Sequence, residues 1–169
     1  ARRLVASAQA QQRHLLVSYG WHHRPLSIQA KQLMNDGAVG TVEHVACHMG
    51  SPSKEFFMGT KNRFGIAPLV EPELENYADP ELSQGGYGQA QLSHALGLLT
   101  WLTDLEPKTV FAAMSTGGAR IDLHNAVTVQ FHGGAIASIS GTGSVPIGAR
   151  FQLDFRIFGD EGALIYDID

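Results

Sequence analysis

With 169 residues, the chain is long enough for one domain with a hydrophobic core and too short for two ordinary domains. Hydrophobic residues make up 44% and charged residues 17%, which are the proportions of a folded rather than a disordered protein. The net charge is −4 and the Lys and Arg residues are scattered, which argues against nucleic-acid binding because that function usually needs a basic face.

Cys47 is the only cysteine, so the chain has no intramolecular disulfide, and we expect a reducing, cytoplasmic compartment. No charged segment leads into an apolar run near the start, so no signal peptide is predicted. Residues 82–103 form a long stretch without Asp, Glu, Lys or Arg, and it contains glutamines, hydroxyls and glycines. That composition predicts a buried helix and argues against a membrane span.

The first residues predict a helix followed by a strand. Residues 1–12 place Leu4, Val5 and Ala8 on one helical face, and the apolar run at residues 14–19 predicts a short strand. No capping residue precedes the helix, and the chain stops within a pattern that predicts a strand. We therefore expect the sequence to be a segment of a longer protein.

A second helix is predicted between Pro25, which suits a first helical position, and Gly37, which suits a helix end. Its apolar residues recur at helical spacing and are Leu26, Ala30, Leu33 and Met34. A strand over residues 41–49 follows, and helix, strand and helix in quick succession indicate the end of an α/β unit. Residues 50–80 have no sustained period and predict a long loop with short turns, which is typical of a segment that covers a site.

Residues 87–103 predict the most informative helix. It follows Gly85-Gly86, where the backbone can approach a ligand closely. At about 100° per residue the helix carries two stripes, and a helix with two such faces is covered on both. One stripe is Leu92, Ala95, Leu96, Leu99 and Leu102, and the other is Tyr87, Gln91, His94, Leu98 and Trp101.

From residue 109 onward the hydrophobic period becomes two. Val127, Val129 and Phe131 alternate with polar residues, then a turn follows at residues 132–134 and a returning strand at residues 135–142. The later strands show the same alternation at Phe151, Leu153, Phe155 and Ile157, and at residues 163–168 after a glycine turn. Short turns imply antiparallel pairing. The predicted fold class is α+β: a largely antiparallel open β-sheet with helices on one face, preceded by the last α/β unit of another domain.

Several passages resemble one family, the Gfo/Idh/MocA oxidoreductases, named for glucose–fructose oxidoreductase and inositol dehydrogenase. The main one is a glycine-rich turn that opens a helix with a histidine and then leads into the sheet: Gly85-Gly86-Tyr87-Gly88-Gln89-Ala90-Gln91-Leu92-Ser93-His94, Trp101-Leu102, Pro107 and Val110. Three further passages agree in order: Tyr19 to Pro25, Gly37-Ala38-Val39-Gly40 and Gly159-Asp160-Glu161-Gly162. The similarity spans nearly the whole chain.

The resemblance implies that residues 1–24 are the end of a Rossmann-type dinucleotide-binding domain. Residues 25–169 would form the substrate-binding and oligomerisation domain, truncated at its C-terminal end. The implied reaction is hydride transfer between NAD or NADP and a hydroxyl carbon of a small sugar, polyol or cyclitol. The family's glycine-rich phosphate loop and its Glu-Lys-Pro lysine match nothing in these residues, so we expect the isolated chain to be inactive and the cofactor to be bound mainly by the N-terminal domain.

His94 is the predicted catalytic residue. A hydroxyl carbon that loses hydride must also lose its hydroxyl proton, and an imidazole near neutrality can accept that proton. The alternative is a buried histidine that is satisfied by a hydrogen bond. Many family members carry an aspartate four residues before this histidine, where this chain has Ala90. Ala90 cannot hold an imidazolium as a carboxylate can, so this chain departs from the family pattern at that position.

Gln91 and Tyr87 are predicted to bind substrate, because each carries a polar tip on an apolar base; ordinary core polarity is the alternative. In the passage that precedes Pro25, Arg24 and His23 are predicted to contact substrate. Tyr19 and Arg24 are predicted to contact the cofactor, and a solvated arginine is the alternative for Arg24.

The histidines also raise the possibility of a metal site, which the spacing does not favour. His22 and His23 are adjacent and point apart in an extended chain, and no carboxylate partner is evident. His44 and His48 share a strand face but would lie roughly 13 Å apart along it, which is too far for one ion. No metal is therefore predicted.

Two other functions remain open. In the first, the chain is a non-catalytic sheet domain that mediates oligomerisation, with a structural His94. In the second, the family scaffold serves a hydrolase or lyase that uses tightly held NAD. Several strands carry apolar residues in both phases, so the sheet face away from the helices is predicted to pair with a second copy, as a homodimer or homotetramer. The predicted partners are a small-molecule sugar or polyol and no nucleic acid or membrane.

Overall fold

The computed structural model describes residues 2–16, 19–60 and 72–168. Its helices, in chain order, are α1 (Arg2–Ala10), a 3₁₀ turn (Gly20–His23), α2 (Pro25–Asn35), α3 (Lys54–Phe57), α4 (Glu75–Ala78), α5 (Pro80–Ser83), a π-helical turn (Gly88–Leu92) and α6 (Ser93–Thr103). The loop predicted over residues 50–80 thus contains the short helices α3 and α4 in its described part. None of the helices in these ranges has the length and apolar composition that crossing a membrane requires.

Six strands form one sheet in the order β2-β3-β4-β1-β5-β6. They are β1 (Val42–Gly50), β2 (Pro107–Ser115), β3 (His124–Phe131), β4 (Ile136–Thr142), β5 (Gln152–Gly159) and β6 (Ala163–Asp167). Neighbouring strands are antiparallel except β1 and β4, which are parallel at the centre of the sheet. That pair can be parallel because helices and two other strands separate β1 from β4 along the chain. The predicted α+β fold class is confirmed.

One face of the sheet packs against α2 and α6 and forms the core. In β5 the buried residues Leu153, Phe155 and Ile157 alternate with residues that are exposed or partly exposed, as the period of two predicted. Leu98 and Leu99 of α6 lie fully inside the same cluster. Burying one such side chain stabilises the fold by roughly 1.5–3 kcal/mol.

Helix α2 has the predicted extent, but a different face of it is buried. Ser27 and Ala30 face the core, whereas Leu26 is 49% exposed and Leu33 is also exposed. The Ser27 hydroxyl lies 2.6 Å from the Tyr166 hydroxyl in a buried hydrogen bond. That bond explains the difference, because a satisfied serine can occupy a core position that hydrophobic periodicity assigns to leucine.

The N-terminal segment is only partly as predicted. The α1 helix forms, but Leu4 is 63% exposed and no residue of the helix is buried. The predicted strand over residues 14–19 is wrong in its described part, since residues 14–16 and residue 19 belong to no strand; residues 17 and 18 lie outside the described residues. A strand needs a neighbour for its backbone N–H and C=O groups, and no described strand runs beside this segment.

Two of the glycine passages that carry the family resemblance form one joint. The Asp160 carboxylate accepts a hydrogen bond from the Thr41 N–H at 2.6 Å, and the Asp160 N–H donates to the Thr41 carbonyl at 3.2 Å. The Glu161 N–H donates to the Val39 carbonyl at 3.1 Å. A Cβ at Gly159 would overlap that same carbonyl oxygen, so only glycine allows the two turns to meet. The joint fixes the entry to β1 against the β5–β6 hairpin.

Candidate functional site

The start of the helix that carries His94 is fixed by Asp122, from the loop before β3. Its carboxylate accepts hydrogen bonds from the N–H of Gly86 at 2.9 Å, the N–H of Gly88 at 2.8 Å and the side-chain amide of Asn125 at 2.8 Å. Its carbonyl accepts the Tyr87 N–H at 2.8 Å. The first N–H groups of a helix need such partners, and a negative charge is favourable there. At Gly86 the close backbone approach that the glycines predicted is made to this loop, where a Cβ would overlap the Asp122 carbonyl oxygen.

The π-helical turn at Gly88–Leu92 changes which side chains share a face. An α-helix would place Tyr87 above Gln91 on the predicted stripe, whereas bonding from i to i+5 brings Tyr87 above Leu92. Both of these side chains pack on Gly141, where a Cβ would lie 3.1 Å from the Tyr87 ring and 3.3 Å from Leu92. Such turns occur often at functional sites and have no simple signature in hydrophobic periodicity.

Tyr87 is a core residue in this chain. It is 0% exposed, its hydroxyl accepts a hydrogen bond from Ser51 at 3.3 Å, and it donates to the Met49 carbonyl at 3.4 Å. Burial raises the pKa of Tyr87 to about 12, against the opposing effect of the Ser51 hydrogen bond. No surface of Tyr87 is open to a ligand, so its hydroxyl contributes to the core and not to substrate binding.

His94 lies in the first turn of α6 and is partly buried. Its ring stands edge-on to the Tyr19 ring at 5.4 Å between centroids and tilted against the Trp21 ring at 5.5 Å. Among the residues that the structure describes, neither ring nitrogen has a hydrogen-bond partner. Desolvation lowers the pKa of His94 below its ordinary value of 6.5, so the imidazole is neutral at pH 7 and has a free lone pair. The ring can accept a proton.

The aromatic residues around His94 are held by His22. Its Nδ1 lies 2.9 Å from the Tyr19 carbonyl oxygen and its Nε2 lies 3.2 Å from the Gly97 carbonyl oxygen of α6. Its ring also meets the Trp101 ring edge-on at 5.0 Å. His22 therefore fastens the 3₁₀ turn to α6 and places Tyr19 and Trp21 on either side of His94. Sequence analysis considered His22 only as a metal ligand.

A cavity of about 620 Å³ adjoins this group of rings. Its lining residues are Trp21, Arg24, Arg150, Phe151 and Ile168. The Trp21 ring packs against Phe151 at 5.5 Å on one side and against His94 at 5.5 Å on the other. Neither the residue types nor the spacing of Trp21 and Arg150 in the sequence indicates that the two share a cavity.

Of the remaining predicted site residues, some lie near His94 and the cavity and others are exposed to solvent. Gln91 is partly buried three residues before His94, which places the two side chains near each other on the helix. Arg24 is exposed at the cavity and His23 is exposed beside it. Ala90 packs on the edge of the core, so the position of the family aspartate offers no carboxylate to the His94 ring.

No three His, Cys, Asp or Glu side chains within residues 2–16, 19–60 and 72–168 are grouped to hold a metal ion. His48 uses its ring nitrogens on the Ser140 hydroxyl at 2.8 Å and on the Gln152 amide oxygen at 3.1 Å. Cys47 is buried in the core, and desolvation raises the pKa of its thiol. A thiol of that kind is a poor nucleophile.

Solved structures with the same fold come from oxidoreductases. GenD2 from gentamicin A biosynthesis, in complex with NAD, has a TM-score of 0.79 and 20% identity over 98% of this chain and 43% of its own. An oxidoreductase domain protein from Kribbella flavida has a TM-score of 0.75 and 21% identity over 96% of this chain and 42% of its own. For the aldose-aldose oxidoreductase from Caulobacter crescentus complexed with glycerol, the TM-score is 0.73 and the identity 22%, over 96% of this chain and 44% of its own.

This chain therefore spans less than half the length of these proteins. Among curated proteins, none matches it in sequence. Residues 27–165 match the family described as the GFO/IDH/MocA C-terminal domain. That match covers most of the sheet and both helices that pack on it, and it agrees with the motifs around Gly85-Gly86, His94 and the two glycine turns. The chain belongs to the Gfo/Idh/MocA family and represents its C-terminal domain.

Proposed function

We propose that this chain is the substrate-side part of an NAD(P)-dependent dehydrogenase that acts on a hydroxyl carbon of a small sugar, polyol or cyclitol. The observation that carries the proposal is the state of His94. His22 and His48 each have polar partners within hydrogen-bonding distance of both ring nitrogens, as structural histidines do. His94 uses neither nitrogen within the described residues and is neutral at pH 7. This contrast favours a catalytic over a structural role.

In the proposed reaction the substrate hydroxyl donates its proton to a ring nitrogen of His94. The O–H electron pair then forms the carbonyl double bond as the C–H hydrogen leaves with its electron pair. NAD(P), when bound, would supply the acceptor for this hydride. Gln91 can donate to and accept from neighbouring hydroxyls and so orient the substrate. The outcome is a carbonyl product and an imidazolium.

Tyr19 and Arg24 are the residues of this chain that fit the nicotinamide end of NAD(P). The Tyr19 ring is partly buried against His94, and the Arg24 guanidinium is exposed at the adjoining cavity. His23, exposed next to Arg24, is a further candidate for substrate contact. The phosphates would be bound by the domain that relatives carry before this one.

The proposal is tested with the full-length protein, NAD or NADP, and a panel of neutral and anionic substrates: glucose, myo-inositol, glycerol, gluconate and glucitol 6-phosphate. We expect at least one of these substrates to produce an increase in the absorbance of the reduced cofactor. If no member of the panel, and no related sugar or cyclitol, reduces either cofactor, the dehydrogenase proposal is wrong.

The isolated chain of 169 residues is expected not to bind NADH with useful affinity. The family holds the cofactor phosphates on a glycine-rich loop at a helix N-terminus, and no part of this sequence matches that loop. Calorimetry, or quenching of the Trp21 and Trp101 fluorescence by NADH, measures this directly. Tight and saturable binding would mean that the cofactor site has been misplaced.

We also propose that two copies associate through the sheet face opposite the helices. This face is open, and Phe111 and Ile165 on it are 73% and 72% exposed. On β2, β3, β4 and β1 the residues of this face that pair across the strands have small or uncharged side chains. One such row is Phe111, Thr128, Ser138 and Ala46. A hollow of about 400 Å³ lies among these residues. On β5 the same face carries Asp154 and Arg156, whose charged groups lie 3.8 Å apart, and the rest of the face carries little charge. Such a broad surface is unfavourable in contact with water, and the expected assembly is a homodimer or a dimer of dimers.

Replacing Thr128 by arginine is expected to weaken this association while leaving the fold intact, because the exposed side chain lies mid-row and a buried unpaired charge is costly. Light scattering gives the mass and circular dichroism checks the fold. Gln29→Arg, on the exposed side of α2, is the matched control and is expected to leave the mass unchanged. A stable monomer of the intact wild-type protein at micromolar concentration would contradict the association itself.

A further inference from the structure

The residues that line the cavity beside the His94 region suit a negatively charged ligand better than a neutral one. Its volume is about 620 Å³, within the range of small-molecule sites. Two of the lining residues, Arg24 and Arg150, are arginines, and the others are aromatic or aliphatic. Among the residues that the structure describes, no acidic side chain lines it. Two guanidinium groups and apolar walls therefore define the cavity.

The two guanidiniums differ in what they already contact. Arg24 is exposed and has no ion-pair partner among the described residues. Arg150 already has an interaction within the chain, so a bound anion would share its guanidinium, which has five N–H donors. Guanidinium groups bind carboxylate and phosphate oxygens through paired hydrogen bonds, which neutral hydroxyls do not reproduce.

Trp21 connects the cavity to the proposed base. Its ring contributes to the cavity wall and also packs against His94 at 5.5 Å. A ligand in the cavity is thus one aromatic ring away from His94. Phe151, which packs on Trp21 at 5.5 Å, closes the same wall at the start of β5. Trp21 thus contacts both the arginine-lined cavity and the proposed base.

We infer that the substrate is a sugar or polyol that carries an anionic group, a carboxylate or a phosphate ester, and that Arg24 and Arg150 bind this group. The inference rests on the proposed dehydrogenase function for the identity of the reacting hydroxyl, but the binding of the anion by the two arginines is independent of turnover. Arg150 is then a specificity-determining residue that the sequence did not reveal.

The test measures ligand binding to the full-length protein without cofactor, by calorimetry or by tryptophan fluorescence. The probes are gluconate, glucitol 6-phosphate, neutral glucitol and inorganic phosphate. We expect at least one of the two sugar anions to bind about tenfold or more tightly than glucitol, and this preference to weaken with added salt. Arg150→Gln and Arg24→Gln are each expected to lose about tenfold in affinity for that anion and little for glucitol. Lys108→Gln, an exposed cation on β2, is the control and should bind like the wild type.

The possible outcomes distinguish the anion site from the dehydrogenase function. Equal affinity for glucitol and both sugar anions, or no change in either arginine variant, overturns the anion site even if neutral polyols are oxidised. If inorganic phosphate binds as tightly as the sugar anions, the cavity is not a substrate site. Loss of NADH affinity in Arg24→Gln with unchanged sugar-anion affinity would leave Arg24 with its cofactor contact alone and overturn its role at the anion. Arginine-dependent binding of a sugar anion without any turnover would support the anion site while the dehydrogenase proposal fails.

Discussion

Replacing His94 by alanine is expected to lower the turnover number of the full-length enzyme by about 10²–10⁴-fold, the usual range for the loss of a general base. The ring stands between Tyr19 and Trp21 with both nitrogens unused by the described chain, and Ala90 leaves no carboxylate at the family position to replace it. His94→Asn should lose nearly as much, because an amide cannot accept a proton near neutrality. His132→Ala, in an exposed turn, is the control and should retain normal turnover.

The wild-type enzyme should have a pH dependence of kcat/KM that the His94 variants lack. Since desolvation lowers the pKa of His94 below 6.5, the neutral base predominates at pH 7 and is lost only as the pH falls through that lowered value. The kcat/KM for alcohol oxidation should therefore rise from acid pH to a plateau reached before neutrality. Carbonyl reduction, which needs the imidazolium as a proton donor, should fall over the same interval. The rising limb should vanish in His94→Ala; near-normal turnover at neutral pH in either variant would assign His94 a structural role.

The sheet could be predicted from sequence because its signal is local. Alternation in β5, with Leu153, Phe155 and Ile157 inward, follows directly from one buried and one open face. The two glycine passages that form the joint at Thr41 and Asp160 were also visible, but only as separate weak motifs. Their contact depends on the register of distant segments, which periodicity does not carry.

The site was less predictable because its parts are fixed by long-range contacts. His94 was found through its motif, but Tyr87 was assigned to the wrong face since the π-helical turn shifts it over Leu92. Ser27 occupies a core position only because Tyr166 satisfies its hydroxyl. Asp122 has no neighbouring motif at all, and its function is evident only once the start of the helix is seen beside it.

That contact supplies the second prediction of large effect: Gly86→Ala is expected to lower the free energy of unfolding by about 3 kcal/mol or more. A Cβ at Gly86 would overlap the Asp122 carbonyl oxygen and lie 2.7 Å from the Asp122 nitrogen, and backbone atoms cannot rotate away as a side chain can. Overpacking alone costs about 1–3 kcal/mol, and moving the loop would also lengthen the hydrogen bonds that Asp122 makes to Gly86 and Gly88. Urea unfolding of the full-length protein measures the loss.

Gly20→Ala is the matched control, because a Cβ there meets nothing within 4 Å; its free energy of unfolding should stay within about 0.5 kcal/mol of the wild type. Asp122→Asn keeps the shape but turns one acceptor into a donor, which leaves N–H groups of the helix start without a partner and should cost about 1–3 kcal/mol. Since Gly86→Ala and Asp122→Asn disturb one contact, the double variant should lose clearly less than the sum of the single losses. Additive losses, or a Gly86→Ala protein as stable as Gly20→Ala, would show that Asp122 does not hold the start of the His94 helix in solution.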